Sequence, residues 1–240
     1  MKNLKLFSIA LVILAIVGIT GCNRFNCQSG SGKQVSQTRT LSAFSKIKVG
    51  GSFRIILKQD SSHSVRIVAD DNIQRLIETD VNGNTLNIGM EGNFCNTGQI
   101  TVYLSSKNLE GIDASGAVEI ESANTIKTKD FLLGLSGSTK VTLDLNASLM
   151  QTRSSGSSEI YLKGQAGTHE INISGSGEVE ALDFVVGKYN IESSGASECN
   201  INVLNELHVS SSGSSDVKYK GSPQKVTNNN SGSSSVKKVN

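Results

Sequence analysis

Tryptophan is absent, proline occurs once, at Pro223, and histidine three times. Helix formers do not dominate; Ser, Gly, Asn, Thr and β-branched residues do, which suits an all-β repeat protein full of tight turns. Motifs that announce a reaction are missing as well. There is no Gly-x-Ser-x-Gly elbow, His-Glu-x-x-His, P-loop or paired-cysteine zinc spacing. Gly175-Ser176-Gly177 belongs to a repeat turn and lacks the strand-to-helix context of a phosphate loop. His63, His169 and His208 share no metal-ligand spacing, so no catalytic residue, metal or other cofactor is implied. Charge of one sign is also lacking: 23 Lys+Arg stand against 21 Asp+Glu. That balance gives no footing for nucleic-acid binding or for attraction to anionic lipid.

The one long apolar run, Leu6 to Val17, follows Lys2 and Lys5 and precedes Gly18-Ile19-Thr20-Gly21-Cys22. A charged start, a short apolar stretch and small residues before a cut describe a secretory signal over residues 1–21, and the run is too short to favour a membrane-spanning helix. The Ile19-Thr20-Gly21-Cys22 ending resembles the lipobox of bacterial lipoproteins, which marks Cys22 for lipidation and gives the chain a membrane partner through several acyl chains. Three cysteines are then left. Cys199 falls in a column of inward residues and reads as a small buried hydrophobe; Cys27 and Cys95 can pair, which sequence alone does not decide. Residues 22–40 are polar and without apolar period, the pattern of a flexible tether.

What the chain has in abundance is one phrase: Ser115-Gly116, Ser136-Gly137, Ser155-Gly156, Ser174-Gly175, Ser194-Gly195, Ser212-Gly213 and Ser231-Gly232. Successive glycines are 21, 19, 19, 20, 18 and 19 residues apart, a structural repeat whose period means a solenoid. Four residues after each glycine stand Ile120, Val141, Ile160, Val179, Cys199, Val217 and Val236, with a second apolar residue often two further on. Four before stand Ile112, Leu133, Thr152, Ile171, Ile191, Val209 and Asn228. Each repeat therefore reads as strand, small-residue turn, strand. A unit of about 19 residues cannot bury its apolar face alone but can stack on the next. The expected fold is all-β, a right-handed parallel β-helix about 34 Å tall over its seven regular coils.

Before the regular array the sequence is less periodic. Ile47, Val49, Ile55 and Leu57 flank Gly51 at the offsets of the later repeats and predict an early, degenerate coil. Val65, Ile67 and Ala69 predict a strand, and Asp70-Asp71-Asn72 before Ile73, Leu76 and Ile77 predicts a short helix over about 71–79. Val81-Asn82-Gly83-Asn84 reads as a turn into Leu86, Ile88 and Met90. Ile100, Val102 and Leu104 supply a further strand. Residues 41–110 thus form irregular coils and 111–240 regular ones, with Asn228-Asn229-Asn230 marking a polar cap.

Three residues after each glycine an outward column reads Glu119, Lys140, Glu159, Glu178, Glu198, Asp216 and Ser235. Stacking sets the four acids from Glu159 to Asp216 one strand spacing apart. Such a row either invites a cation or a basic partner or lies splayed and screened in water; its spacing is not that of a calcium loop. Ser138, Ser157, Ser176, Ser214 and Ser233 could offer hydroxyls to a sugar, while the bland reading gives Ser and Gly to the turns themselves. His169, in a column with Met150, Tyr189 and Leu207, reads as an interior histidine. Enzymes on this scaffold need a groove built by long loops, and a repeat varying by three residues leaves little room for one.

The phrases Phe44-Ser45-Lys46-Ile47, Gly51-Ser52-Phe53, Ala69-Asp70-Asp71-Asn72-Ile73, Val81-Asn82-Gly83-Asn84-Thr85-Leu86, Asp113-Ala114-Ser115-Gly116-Ala117 and Tyr219-Lys220-Gly221-Ser222-Pro223, with the Ser-Gly repeats between, resemble the head GIN domain proteins of Gram-negative bacteria. The resemblance implies a β-helical fold over about Phe44 to Pro223, export and usually a lipid anchor. The resemblance carries an adhesin label but supplies no catalytic site, cofactor or ligand, and the expected function is a non-enzymatic binding or adhesion module for a glycan or protein partner. Glu159, Glu178, Glu198 and Asp216 are the expected binding face, on a protein held at the outer membrane. Two other functions compete, a periplasm-facing structural or envelope-maintenance protein and a degenerate carbohydrate-active enzyme. Asn23-Arg24-Phe25-Asn26 lacks the acidic cluster of some surface-export signals, which tilts toward the periplasm.

Overall fold

A computed structural model describes residues 27–239. The signal over 1–21, Cys22 and the first residues of the expected tether lie outside the described residues.

The described chain is all-β apart from one short helix. In order it forms β1 (Gln28–Ser29), β2 (Gln34–Arg39), β3 (Lys46–Gln59), β4 (Ser64–Asp70), α1 (Asp71–Gln74), β5 (Ile77–Asn82) and β6 (Thr85–Met90). There follow β7 (Phe94–Asn96), β8 (Thr101–Ser106), β9 (Gly111–Ser122), β10 (Ile126–Gly221), β11 (Lys225–Gly232) and β12 (Ser235–Lys238). The main sheet has the order β11-β10-β9-β3-β8-β4-β2, with β12 on β10, β6 on β3 and β5 on β6; β1 and β7 make a separate pair. Pairing is parallel from β3 through β11 and antiparallel among β2, β4 and β8 and within the β5–β6 hairpin.

Were its 96 residues straight, β10 would reach roughly 300 Å. Instead it returns alongside itself: Gln151 donates to Glu170 at 2.7 Å, Asn172 to Glu192 at 3.1 Å and Lys218 to Glu198 at 2.5 Å, partners 19 or 20 residues apart. The corner glycines explain how the runs fit together. Gly137, Gly156 and Gly175 have φ of +88°, +101° and +116°, and a Cβ on any of them would come within 2.5–2.6 Å of the carbonyl oxygen of the preceding corner glycine. A side chain is excluded twice, by conformation and by space.

Across each corner the inward side chains stand two and four residues either side of the glycine. Around Gly156 these are Thr152, Ser154, Ser158 and Ile160, all at most 5% exposed. The core is one cluster running from Phe44 to Val217. The segment around Gly51 falls in the register of the later repeats: β3 pairs parallel with β9 and sets Gly51 beside Gly116, Ile47 beside Ile112 and Ile55 beside Ile120.

Two expectations need correction. The helix spans only 71–74, and Ile77 already opens β5. Ile77 is 2% exposed and pairs with Met90, so tertiary pairing overrides the helical spacing of Ile73, Leu76 and Ile77. The Asp70 side chain makes no capping bond to that helix; it accepts from the Gly32 amide at 3.0 Å instead.

The second correction concerns the tether over 22–40, which is ordered over most of its described length. β2 pairs with β4 from Gln34–Asp70 to Arg39–Val65, and Cys27 is disulfide-bonded to Cys95 with Cα atoms 5.4 Å apart. Between them, Ser31 donates its amide to Asn72 Oδ1 at 2.9 Å and its hydroxyl to Asp71 Oδ1 at 2.6 Å, while Asn72 Nδ2 donates to the Ser29 carbonyl at 2.8 Å. Order here rests on polar bonds and a covalent link, so it left no apolar period to read.

Candidate functional site

The expected binding residues sit where the strand pleat puts them, three positions past each corner glycine and therefore outward. Glu119, Lys140, Glu159, Glu178, Glu198 and Asp216 all border one open groove of about 920 Å³, which runs from Ser52 and Gly98 at one end to Ser233 at the other. The repeat's near-constant length suggested little room for a groove. Side-chain size makes most of it, with a loop, Gly98 to Ile100, closing only one end: Ala117, Ser138, Ser157, Ser176, Ala196 and Ser214 line it one residue past each glycine, and the longer charged residues rise beside them.

The acids are not a uniform row. Glu119 lies 3.8 Å from Arg54, Glu159 3.3 Å from Lys140 and Glu198 2.5 Å from Lys218. Asp216 accepts a hydrogen bond from the Ser235 hydroxyl. Glu178 has no ion-pair or hydrogen-bond partner among the described residues. Hydrogen bonding to Glu159 raises the Lys140 pKa, and hydrogen bonding to Glu198 raises that of Lys218. With both partners about half exposed, solvent screens each pair, and neither adds much to stability. Among the described residues no group of three His, Cys, Asp or Glu is arranged to hold a metal ion.

The corner serines behave differently from the local turn bonding that sequence suggests. Ser115, Ser174 and Ser231 each donate, at 3.4–3.5 Å, to a carbonyl of the preceding run, that of Val49, Ser154 and Ser211. A further set was not legible: Ser154, Ser158, Ser193, Ser197, Ser211 and Ser215 are buried. Ser154 and Ser158 share a hydrogen bond of 2.7 Å, Ser193 and Ser197 one of 2.6 Å, and Ser215 meets both of the latter at 2.9 and 3.2 Å. Their signal was present, as the same two-residue alternation continued through the corner, but serine beside glycine reads as turn.

Away from the groove, His169 is fully buried, with Nε2 2.9 Å from the Thr152 hydroxyl and its ring packed against Phe184 and Tyr189 at centroid distances of 5.7 and 5.3 Å. Burial lowers its pKa to about 3. Cys199 is a buried free thiol whose pKa burial pushes up to about 12, so it is inert as a nucleophile. Among the described residues no helix is long and apolar enough to cross a membrane.

A row of small residues at the foot of half-exposed charges, carried on a repetitive all-β scaffold, defines a domain that presents surface. The chain belongs to the family described as "Putative auto-transporter adhesin, head GIN domain", whose profile matches residues 43–223. Its fold is similar to that of a crystal structure described as a putative adhesin from Bacteroides fragilis, with TM-score 0.82 and 22% identity over 88% of this chain and 100% of that one. A putative lipid binding protein from Parabacteroides distasonis matches with TM-score 0.66 and 21% identity, over 90% of this chain and 100% of that one. A putative adhesin from Parabacteroides merdae matches with TM-score 0.62 and 21% identity, over the same shares. No curated protein sequence matches this chain.

Proposed function

We propose that this protein is a non-enzymatic binding protein of the cell envelope, anchored to the outer membrane by lipid at Cys22, that offers its groove to a glycan or protein partner. The described chain is wound, on this reading, as a right-handed parallel β-helix of about 19-residue coils. Support for the winding comes from the corner glycines lying against one another and from side-chain bonds between residues 19 or 20 apart. The adhesin description of the family supports the binding role and a place in the envelope.

The observation that carries the proposal is the groove itself, whose floor is small along its length and whose one row of long side chains includes an unpaired carboxylate, Glu178. An extended ligand can lie on such a floor and meet the same chemistry at each coil. Purified protein, lipid-free and with the disulfide intact, is to be tested on glycan and envelope-protein arrays beside a Glu159→Gln/Glu178→Gln variant. Binding that the variant weakens by about tenfold (roughly 1.4 kcal/mol) supports the assignment; binding equal in both sinks the groove as the site. Protease shaving of intact cells, with a periplasmic protein as leakage control, then separates a surface adhesin from a periplasmic binding protein.

A further inference from the structure

We propose that the Cys27–Cys95 disulfide and the polar clamp beside it shorten the leash to the lipid, so that the β2 edge of the domain rests against the membrane surface and the β11 edge points away. The inference rests on the lipoprotein reading of Cys22 and adds to it a definite partner surface, the bilayer, and an orientation.

Chain length decides it. From Cys22 to Cys27 the backbone spans at most about 17 Å; were residues 27–33 free, the first anchored residue would be Gln34, and the leash would reach about 42 Å. Residues 27–33 are held by the bond to Cys95 and by the contacts of Ser29, Ser31 and Gly32 with Asp70, Asp71 and Asn72. Two backbone bonds, Gln28 to the Asn93 carbonyl at 2.8 Å and Gly30 to that of Asn96 at 2.6 Å, seat the same stretch on β7. The clamp sits beside β2 and β4, at one edge of the main sheet, whereas β11 forms the opposite edge. The two edges stand on the order of 50 Å apart at one strand spacing per row, well beyond the short leash.

The groove shares this polarity. Its Gly98 end is three residues from Cys95, and Arg54 and Lys140 lie in that half. Glu178, Glu198 and Asp216 lie toward Ser233. The leash thus keeps the acid-rich half of the groove away from anionic headgroups and open to a ligand arriving from outside the bilayer.

The test uses the full lipidated chain in phosphatidylethanolamine–phosphatidylglycerol vesicles that contain an acceptor-labelled lipid. A donor dye is placed through a non-natural amino acid at Asn93 or at Asn229, both exposed. Energy transfer from position 93 is expected to exceed that from 229 by about twofold or more, given a leash this short. Inserting about twenty Gly and Ser residues after Arg24, ahead of the described residues, is expected to bring the two values together. Cys27→Ser/Cys95→Ser combined with Asn72→Ala is expected to do the same in part. Equal transfer from both positions in the unaltered chain, or no change on insertion, overturns the orientation while flotation with the vesicles leaves the lipoprotein reading standing. Failure to float, matching a Cys22→Ser control, overturns both.

Discussion

His169 shows how one buried polar residue ties stability to pH. Its ring packs against Phe184 and Tyr189, both fully buried, and only Nε2 has a partner, the Thr152 hydroxyl. A charged imidazolium there would lose its water without gaining an anion, hence a folded pKa of about 3 against the ordinary 6.5. The folded value is the lower one, so between those two pH values the unfolded chain binds the extra proton. Stability is full above pH 6.5 and falls toward pH 3, by up to about 1.4 kcal/mol per pH unit from this group alone. Urea midpoints at pH 7.5, 6.0 and 5.0 are expected to decline accordingly. In a Thr152→Val/His169→Leu variant, which removes both partners of that hydrogen bond together, the decline over that interval is expected to flatten. An unchanged slope would place the effect elsewhere.

At the scale of a single corner, the residues two before and two after the glycine face each other, and their volumes compensate. Ser154 meets Ser158 and Ser193 meets Ser197. Between these corners the pair is Ile173 and Gly177, where a Cβ on Gly177 would stand 2.9 Å from Ile173 Cγ2. Gly177→Ala is therefore expected to cost about 1–3 kcal/mol by overpacking. The double change Ile173→Ser/Gly177→Ser recreates the pair found on both neighbouring corners. A favourable coupling of at least about 0.5 kcal/mol is expected in a double-mutant cycle of chemical denaturation; additivity would show that the two sides do not meet.

The same corner shows what sequence could and could not reveal. The period of the glycines and the alternation four and six residues beyond them were legible, down to the register of Gly51 with Gly116. So was the outward placing of Glu159, Glu178, Glu198 and Asp216, because the pleat has a period of two. The groove was not, since a repeat length says nothing about the relative size of side chains one and three residues past a corner. Nor was the order of residues 27–39. Val35 is the sole aliphatic residue among them, and what holds them, β4, Asp71, Asn72 and Cys95, lies about 26 to 68 positions away in sequence.

For the molecule as a whole, the two edges of the main sheet are finished in different ways. At one, β2 runs antiparallel to β4 and leaves Gln34, Ser36, Gln37 and Thr38 exposed along its length. At the other, β11 lies parallel on β10, setting Leu207 beside Val226 and Val209 beside Asn228. Leu207, Val209 and Val217 are at most 2% exposed, while Val226 is 44% exposed. The last row therefore covers apolar side chains without needing cover itself, and Asn228-Asn229-Asn230 makes its open edge polar. Deleting residues 222–240 would uncover that apolar row together with a line of unpaired backbone groups on β10, a template for another chain. Light scattering after size exclusion is expected to show self-association of the truncated protein at concentrations where the full chain stays monodisperse. Replacing only Asn228, Asn229 and Asn230 by Val is expected to have the same effect with β11 still in place, because an apolar edge strand recruits partners as a bare one does. If the truncated chain stayed as dispersed as the full one, the polar last row would not be a cap, and the exposed end of β10 would have to protect itself.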